Sequence, residues 1–238
     1  MPTETRLREA ICDVGRRMWS RSQVAANDGN ISVRTDSNEV LCTPSGVSKG
    51  FMDPAELVKL SMDGRTMGEG RPSSEVLLHL ACYWARRDVG AVVHAHPPYA
   101  TAFAALGKPV PTRYLTEIAV ALQEVPCAEY GAPGTSEVPR SALPMLETAD
   151  AFLLRNHGVV TVGTDVWEAY HRMETVEQGA MVATIIAQLG GAEPLDDEQL
   201  CDLAAIRREQ GLGVKAADYD PTDCLKRLSE QEEAIDRE

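Results

Sequence analysis

The sequence predicts an α/β fold built as a single domain, and three observations carry that reading. Along the 238 residues, hydrophobic positions switch repeatedly between helical spacing and strand alternation. No internal repeat is visible, and no linker is long enough to divide the chain. At this length a chain can bury about 70–75% of its unfolded surface, so one core suffices and no metal is needed as a folding staple.

Composition narrows the function classes. A formal charge of −13 opposes a nucleic-acid partner, because binding to a phosphate backbone depends on clustered Lys and Arg. A small anion held by neutral backbone amides remains compatible with that charge. The six cysteines (Cys12, Cys42, Cys82, Cys127, Cys201, Cys224) are dispersed, with no C-x-x-C and no secretory leader before them. That pattern suits a reduced cytoplasm, with the thiols as small core residues. No apolar run approaches the roughly 20 residues of a membrane span.

The elements follow in order. Residues 4–19 read as an amphipathic helix with Leu7, Ile11, Val14 and Met18 on one stripe. Asn27-Asp28-Gly29-Asn30 is turn chemistry feeding the strand Ile31-Ser32-Val33-Arg34, and Val40-Leu41-Cys42 returns, so 30–43 reads as a hairpin. Thr43 to Gly50 is a loop of small and hydroxyl residues, able to aim backbone N–H groups at an anion. Asp53-Pro54-Ala55-Glu56 carries an N-cap, a proline at the first helical position and an acid in the first turn, so a short helix starts there; Asp63-Gly64 signals a turn after it.

Arg71-Pro72-Ser73-Ser74-Glu75 opens the next helix, whose core stripe is Val76, Leu77, Leu80, Ala81 and Trp84. Ser73 or Ser74 is a plain N-cap, or else the two hydroxyls and the helix N-terminus make an anion site with Glu75 beside it. His79, one turn on, reads as a packed or surface residue. A strand spans 91–96, and Tyr99 to Leu106 is a helix. Residues 109–127 read as a loop, a short helix and a strand; Gly131 to Thr135 is a turn, and Ser136 to Leu146 a helix. Ala151 to Leu154 and Val159 to Val162 are strands flanking Arg155-Asn156-His157-Gly158. A long helix follows over 165–189, stopped by Gly190-Gly191, and another over 195–210. The charged stretch 229–238 reads as a frayed end.

The chemistry concentrates in Val92-Val93-His94-Ala95-His96-Pro97-Pro98. Side chains alternate along a strand, so His94 and His96 share a face roughly 6–7 Å apart, a usable bite for one metal ion. The chain has five histidines, and a third candidate, His157, sits at a hairpin tip. Three imidazoles suit a catalytic zinc with one open position, and Glu75 offers a fourth contact or a base. A metal that polarises a carbonyl, a carboxylate that takes an α-proton and an amide-lined anion pocket together specify enediolate chemistry on a sugar phosphate.

Five ordered motifs across roughly residues 6–190 resemble the class II aldolase/adducin family, in particular its fuculose-1-phosphate aldolase branch. Gly29-Asn30-Ile31-Ser32 resembles the family's Gly-Asn-x-Ser, Thr43-Pro44-Ser45-Gly46 its Thr-Pro-x-Gly, and Ser73-Ser74-Glu75 its Ser-Ser-Glu. His94-Ala95-His96 and Asn156-His157-Gly158 resemble its metal-binding segments. The resemblance implies a three-layer α/β/α domain around a largely antiparallel sheet, assembled as a homotetramer with active sites between subunits. It implies Zn²⁺ on His94, His96 and His157, with Glu75 completing the shell in the empty enzyme and then serving as acid/base. It implies phosphate binding by Asn30, Ser45, Gly46, Ser73 and Ser74.

Ribulose-phosphate 4-epimerases of the same fold carry Asp where this chain has Glu75, which favours an aldolase. Tyr114 falls near the branch's proton-donating tyrosine, and Glu117 competes with it for proton transfer. The run Thr116-Glu117-Ile118-Ala119 is similar to aldolases acting on 5-deoxypentulose or methylthioribulose phosphates, and Tyr219 is a candidate to reach the aldehyde pocket. The expected activity is zinc-dependent cleavage of a ketose 1-phosphate to dihydroxyacetone phosphate and an aldehyde. The alternatives are a sugar-acid phosphate decarboxylase, a pentulose-phosphate 4-epimerase, or an adducin-like binding protein that has lost the site.

Overall fold

A computed structural model describes residues 2–213 and 219–235, without the side chains of 231–235. Among the described residues one sheet runs in the order β3-β2-β1-β4-β7-β6-β5. Its strands are β1 (Asn30–Arg34), β2 (Glu39–Cys42), β3 (Val58–Ser61), β4 (Ala91–Ala95), β5 (Cys127–Ala128), β6 (Ala151–Leu154) and β7 (Gly158–Gly163). All neighbours are antiparallel except β5 and β6.

Strand alternation splits the apolar side chains between two cores, because successive residues face opposite ways. Ala91, Val93 and Ala95 of β4 join Ile31, Leu153 and Val159 under α1 (Glu4–Ser20), α3 (Pro98–Leu106), α4 (Thr116–Leu122) and α6 (Val166–Gln188). Val92 joins Phe152, Val160 and Val162 on the opposite face, under α2 (Val76–Ala85), α5 (Glu137–Leu146) and α8 (Pro221–Ile235). The sheet is thus covered on both faces, which is the expected α/β/α layering around a mostly antiparallel sheet. β4 lies at its centre, between β1 and β7, and carries His94 to the edge where the site forms.

Local chemistry explains the helices. Thr3 caps α1, its hydroxyl accepting from the Arg6 N–H, and Ile11, Val14 and Met18 are wholly buried while Leu7 lies at the margin of the stripe. Asp165 caps α6 by accepting from the N–H groups of Trp167 and Glu168. The Asp53-Pro54 start makes only a turn of 3-10 helix, Pro54–Glu56, closed by a capping box between Asp53 and Glu56.

Two helices differ from the sequence reading. In α2 every residue from Leu78 to Ala85 is buried, because α5 and α8 cover the side turned away from the sheet, so the expected stripe is a buried cylinder. The helix α8 has no counterpart in that reading. It seats Cys224 and Leu228, both fully buried, and carries helix to Ile235, into the stretch expected to fray. Residues 236–238 of that stretch lie outside the described residues. Among the described residues no helix is long and apolar enough to cross a membrane, and α7 (Asp197–Glu209) packs on α4.

Candidate metal and anion site

His94 is the next-to-last residue of the central strand and has no solvent exposure, its Nδ1–H donating to the Val159 carbonyl at 2.9 Å. That bond assigns the ring's proton to Nδ1 and leaves Nε2 as a bare lone pair. The strand stops at Ala95, and the His96 N–H turns to the Gln23 carbonyl at 2.9 Å. The rings of His94 and His96 lie 5.0 Å apart between centroids. Their Nε2 atoms are 3.1 Å apart.

His157 comes from the tip of the β6–β7 hairpin, where Asn156 takes a left-handed φ of 58° and the His157 N–H returns to Leu154 O at 3.0 Å. Its ring lies 4.7 Å from that of His94 and 5.1 Å from that of His96. The hairpin can lie this close only with glycine next: a Cβ on Gly158 would meet Ala95 O and His96 Cδ2, each at 2.5 Å. Gly29 has a similar reason, with φ +71° and a virtual Cβ 2.8 Å from His94 O.

Glu75 faces all this from the residue preceding α2. Its Oε2 is 3.4 Å from His94 Nε2 and accepts from Asn30 Nδ2 at 2.8 Å; its Oε1 is 3.3 Å from His157 Nε2. Burial pushes His94 down to about 3 and lowers His157 too, so both imidazoles are neutral ligands at physiological pH. Burial opposes the Glu75 carboxylate, yet its pKa lies below the ordinary value, with the Asn30 amide donating to Oε2.

A metal fits these residues. One ring nitrogen from each of His94, His96 and His157 lies within 4.8 Å of the others, and buried Glu75 Oε1 and His157 Nδ1 have no hydrogen-bond partner. Neutral lone pairs turned on one another at short range, beside an unpartnered carboxylate oxygen, are satisfied by a cation that all of them ligate.

Beside this cluster opens a cavity of about 330 Å³. Asn30, Ser45, Gly46, Ser73, Ser74, Glu75, His96 and His157 all line it, so every expected anion-binding residue meets three of the four expected metal ligands there, while fully buried His94 lies behind them. The two loops are joined by their backbones: Ser45 N–H donates to Arg71 O at 2.9 Å, and Ser73 N–H to Thr43 O at 3.1 Å. Of the two readings of Ser73 and Ser74, Ser73 acts locally, its Oγ accepting the Glu75 N–H at 3.3 Å, while the helix proper has no side-chain cap.

Other expected residues lie elsewhere. Tyr114 and Glu117 do not line the cavity; Glu117 is exposed in the first turn of α4, its carboxylate accepting from the Thr116 hydroxyl. Tyr219 packs among α2, α5 and α8, its hydroxyl donating to Leu143 O at 3.2 Å.

Two residues of the site were not found by sequence reasoning. Lys49 lines the cavity 2% exposed, its Nζ donating to Asn27 O and Val47 O, and burial brings it down to about 8. His79 is 1% exposed and bonded to Asn30 and Ser32. A polar residue inside an otherwise apolar helix was the available signal for it.

Comparison with known proteins agrees with this geometry. Residues 9–184 match the family described as Class II Aldolase and Adducin N-terminal domain. The L-fuculose phosphate aldolase of Methanococcus maripaludis strain C7 is 33% identical over 172 residues, covering 72% of this chain and 93% of that protein. A 5-deoxy-D-ribulose 1-phosphate aldolase of Bacillus thuringiensis serovar kurstaki is 33% identical, covering 87% and 96%. A 3-oxo-tetronate 4-phosphate decarboxylase of Haemophilus influenzae is 34% identical, covering 75% and 87%. The solved structure of YgbL from Escherichia coli, described as a putative aldolase/epimerase/decarboxylase, superposes with a TM-score of 0.80 at 29% identity, covering 84% of this chain and 98% of its own. With the match spanning most of its length, this chain belongs to the class II aldolase and adducin family, among that family's lyase enzymes.

Proposed function

We propose that the chain is a Zn²⁺-dependent aldolase that cleaves a ketose 1-phosphate, such as L-fuculose 1-phosphate or a 5-deoxypentulose 1-phosphate, into dihydroxyacetone phosphate and an aldehyde. One observation carries the reading: three imidazoles and an unpartnered Glu75 oxygen converge beside a cavity lined by hydroxyls and amides. An all-nitrogen triad with one carboxylate suits Zn²⁺ better than Mg²⁺ or Ca²⁺, which favour oxygen ligands. His94, His96 and His157 hold the ion, and Glu75 is its displaceable fourth contact. When bound, Zn²⁺ supplies Lewis-acid stabilisation of the charge that carbon–carbon cleavage develops on the substrate's oxygens.

The chain's own groups do the rest. Asn30, Ser45, Gly46, Ser73 and Ser74 offer donors to the phosphate, and Lys49 supplies a cation at the wall of the same cavity. Glu75, released from the imidazoles when substrate enters, moves the proton at the reacting carbon. Tyr114 and Glu117 serve the aldehyde half from a neighbouring subunit of a homotetramer. Exposed Phe51, 71% accessible and 5.0 Å from the Trp19 ring, gives an apolar surface near the loop 43–50 for such an assembly. The free thiols, with Cys12, Cys42, Cys82 and Cys224 buried, suit a cytoplasmic enzyme.

The test is metal analysis of the purified protein together with a panel of ketose 1-phosphates assayed for dihydroxyacetone phosphate. His94→Ala and His157→Ala should lose both zinc and cleavage; full activity in a zinc-free variant overturns the reading. The decarboxylase-named relative supports a second reading on the same groups. Release of CO₂ from an oxo-acid phosphate, without dihydroxyacetone phosphate from any ketose, decides for it.

A further inference from the structure

A line of buried polar groups runs from α2 through β1 to Glu75, and none of it is explained by metal or substrate contact alone. Tyr83 Oη lies 2.7 Å from Ser32 Oγ, Ser32 Oγ 2.6 Å from His79 Nδ1, His79 Nε2 2.5 Å from Asn30 Oδ1, and Asn30 Nδ2 donates to Glu75 Oε2 at 2.8 Å. Tyr83 and His79 are 2% and 1% exposed and Ser32 is fully buried, so bulk water does not reach these partners.

The direction of every hydrogen in this line follows from its two ends. At the Glu75 end, a carboxylate accepts only, so Asn30 must turn its NH2 toward Oε2 and its carbonyl toward His79. A carbonyl accepts only, so His79 must carry a proton on Nε2. Burial lowers His79 to about 4, so at neutral pH the ring has one proton and Nδ1 is an acceptor. Ser32 therefore donates to Nδ1 and receives the hydrogen of Tyr83. Reversing any one link leaves two acceptors or two donors facing each other in a buried site.

We propose that His79 is a positioning residue that locks the Asn30 side-chain amide with its NH2 turned to Glu75 and to the cavity, so that an incoming phosphate meets a donor rather than a carbonyl. The lock deepens the aldolase reading and rests on it for the identity of the anion. Ser32 holds the His79 tautomer, and Tyr83 holds Ser32. Asn30 is 3% exposed yet lines the cavity, so its second N–H is the group the lock presents. While Glu75 accepts from Asn30 Nδ2 both ends hold the amide, but once entering substrate draws Glu75 away only His79 opposes a half-turn that would set an acceptor against the anion.

The experiment compares His79→Gln with His79→Leu in the full-length, zinc-loaded protein, using inorganic phosphate as the probe. Glutamine keeps an N–H donor for Asn30 Oδ1, whereas leucine removes it at similar size. Phosphate Kd and substrate KM should rise about tenfold in His79→Leu, as expected for one lost hydrogen bond to a charged ligand, and stay within about twofold of wild type in His79→Gln. Zinc content should be unchanged in both. Equal losses in the two variants, or losses that follow thermal stability rather than donor capacity, overturn the lock. If His79→Leu fails to fold, Ser32→Ala reports instead, with phosphate Kd raised severalfold while His79 stays in place; an unchanged Kd there overturns the proposal.

A ¹⁵N histidine spectrum of the wild-type protein separates the lock from the functional reading. The Nε2–H tautomer is expected for His79, and the Nδ1–H tautomer overturns the lock outright. The expected tautomer in a protein that binds no phosphate upholds the amide lock toward Glu75 and overturns the sugar-phosphate reading.

Discussion

The hairpin of β6 and β7 has a buried polar cluster at each end, and the two are built in opposite ways. At the open end, Asp150 receives Arg86 at 2.7 Å, Arg172 at 3.1 Å and Arg207 at 3.7 Å, while Asp88 and Glu168 pair Arg86 and Arg172. At the tip, His157 meets His94, His96 and Glu75, where Glu75 Oε1 and His157 Nδ1 lack hydrogen-bond partners and burial holds His94 and His157 neutral. In the first cluster every charge faces an opposite charge from this chain, Asp150 Oδ2 included, which makes no hydrogen bond but lies 3.1 Å from the Arg172 guanidinium, and the arginines tie together the end of α2, α6 and α7. The second presents lone pairs to a common point. A buried cluster that completes itself serves the fold; one left incomplete by the chain serves a ligand.

That contrast can be broken from either side, and the site should show the larger effect. Glu75→Gln keeps the shape and the contact to Asn30 but removes the base, so turnover should fall by about 10²–10⁴-fold. Thermal stability should nearly hold, because glutamine fills the same volume and still accepts from Asn30 Nδ2. Steady-state kinetics beside a thermal melt would show this, and a large drop in Tm would mean that Glu75 is part of the scaffold. Asp150→Ala should do the reverse. It leaves buried guanidinium groups without their shared carboxylate, at a cost of about 3–5 kcal/mol and a Tm lower by roughly 10 °C. The substrate KM of the folded fraction should not move, and a changed KM would break the separation of the two ends.

Acid should distinguish them next. In the unfolded chain His79 takes up a proton near pH 6.5, whereas in the folded protein burial delays this to about pH 4. The unfolded state then binds the extra proton between those values, so stability is complete above about pH 6.5 and declines as the pH falls toward 4, by about 3 kcal/mol for this residue. His94, pushed to about 3, acts in the same direction in the metal-stripped protein. Urea midpoints measured across this range should slope downward toward acid, and His79→Gln should flatten the slope. An equal slope in that variant would assign the acid sensitivity to other groups.

How much of this was legible depended on whether a residue's chemistry is local. The hairpin 30–43, the β4 strand and the His157 tip could be read because alternation and turn residues act over a few positions, and the loops that line the cavity because Ser45, Gly46, Ser73 and Ser74 are turn formers wherever they sit. His79 was passed over as packing. Its function depends on Asn30 and Ser32, 49 and 47 residues away, which face it only once β1 lies against α2. Lys49 was hidden for the same reason, its partner Asn27 lying 22 residues back. The helix α8 escaped because, among its described side chains, only Cys224 and Leu228, one helical turn apart, mark a buried face amid charged residues. The roles of Tyr114 and Glu117 were carried by resemblance alone, and within one chain no strand or helix end brings them to the cavity.

The smallest expected effect lies at a residue belonging to neither cluster. The helix α3 begins directly after His96-Pro97, and with proline at its N-cap position it has no cap of its own. Glu177, from the middle of α6, supplies one: its carboxylate accepts the N–H groups of Tyr99 at 3.1 Å and Ala100 at 2.9 Å. Burial raises the Glu177 pKa, and the two N–H bonds only partly offset it. Glu177→Ala should therefore cost about 1 kcal/mol, the usual value of a lost cap, read as a Tm lower by about 2–4 °C. Because the freed turn starts next to a metal ligand, zinc should also dissociate severalfold faster, whereas Asp150→Ala should leave zinc release unchanged. Glu177→Gln, which retains the acceptor, should recover most of both losses. Zinc release unaffected by Glu177→Ala would show that His96 is held by its own bond to Gln23 alone, and that the tip of the hairpin is insulated from α6 as well as from its far end.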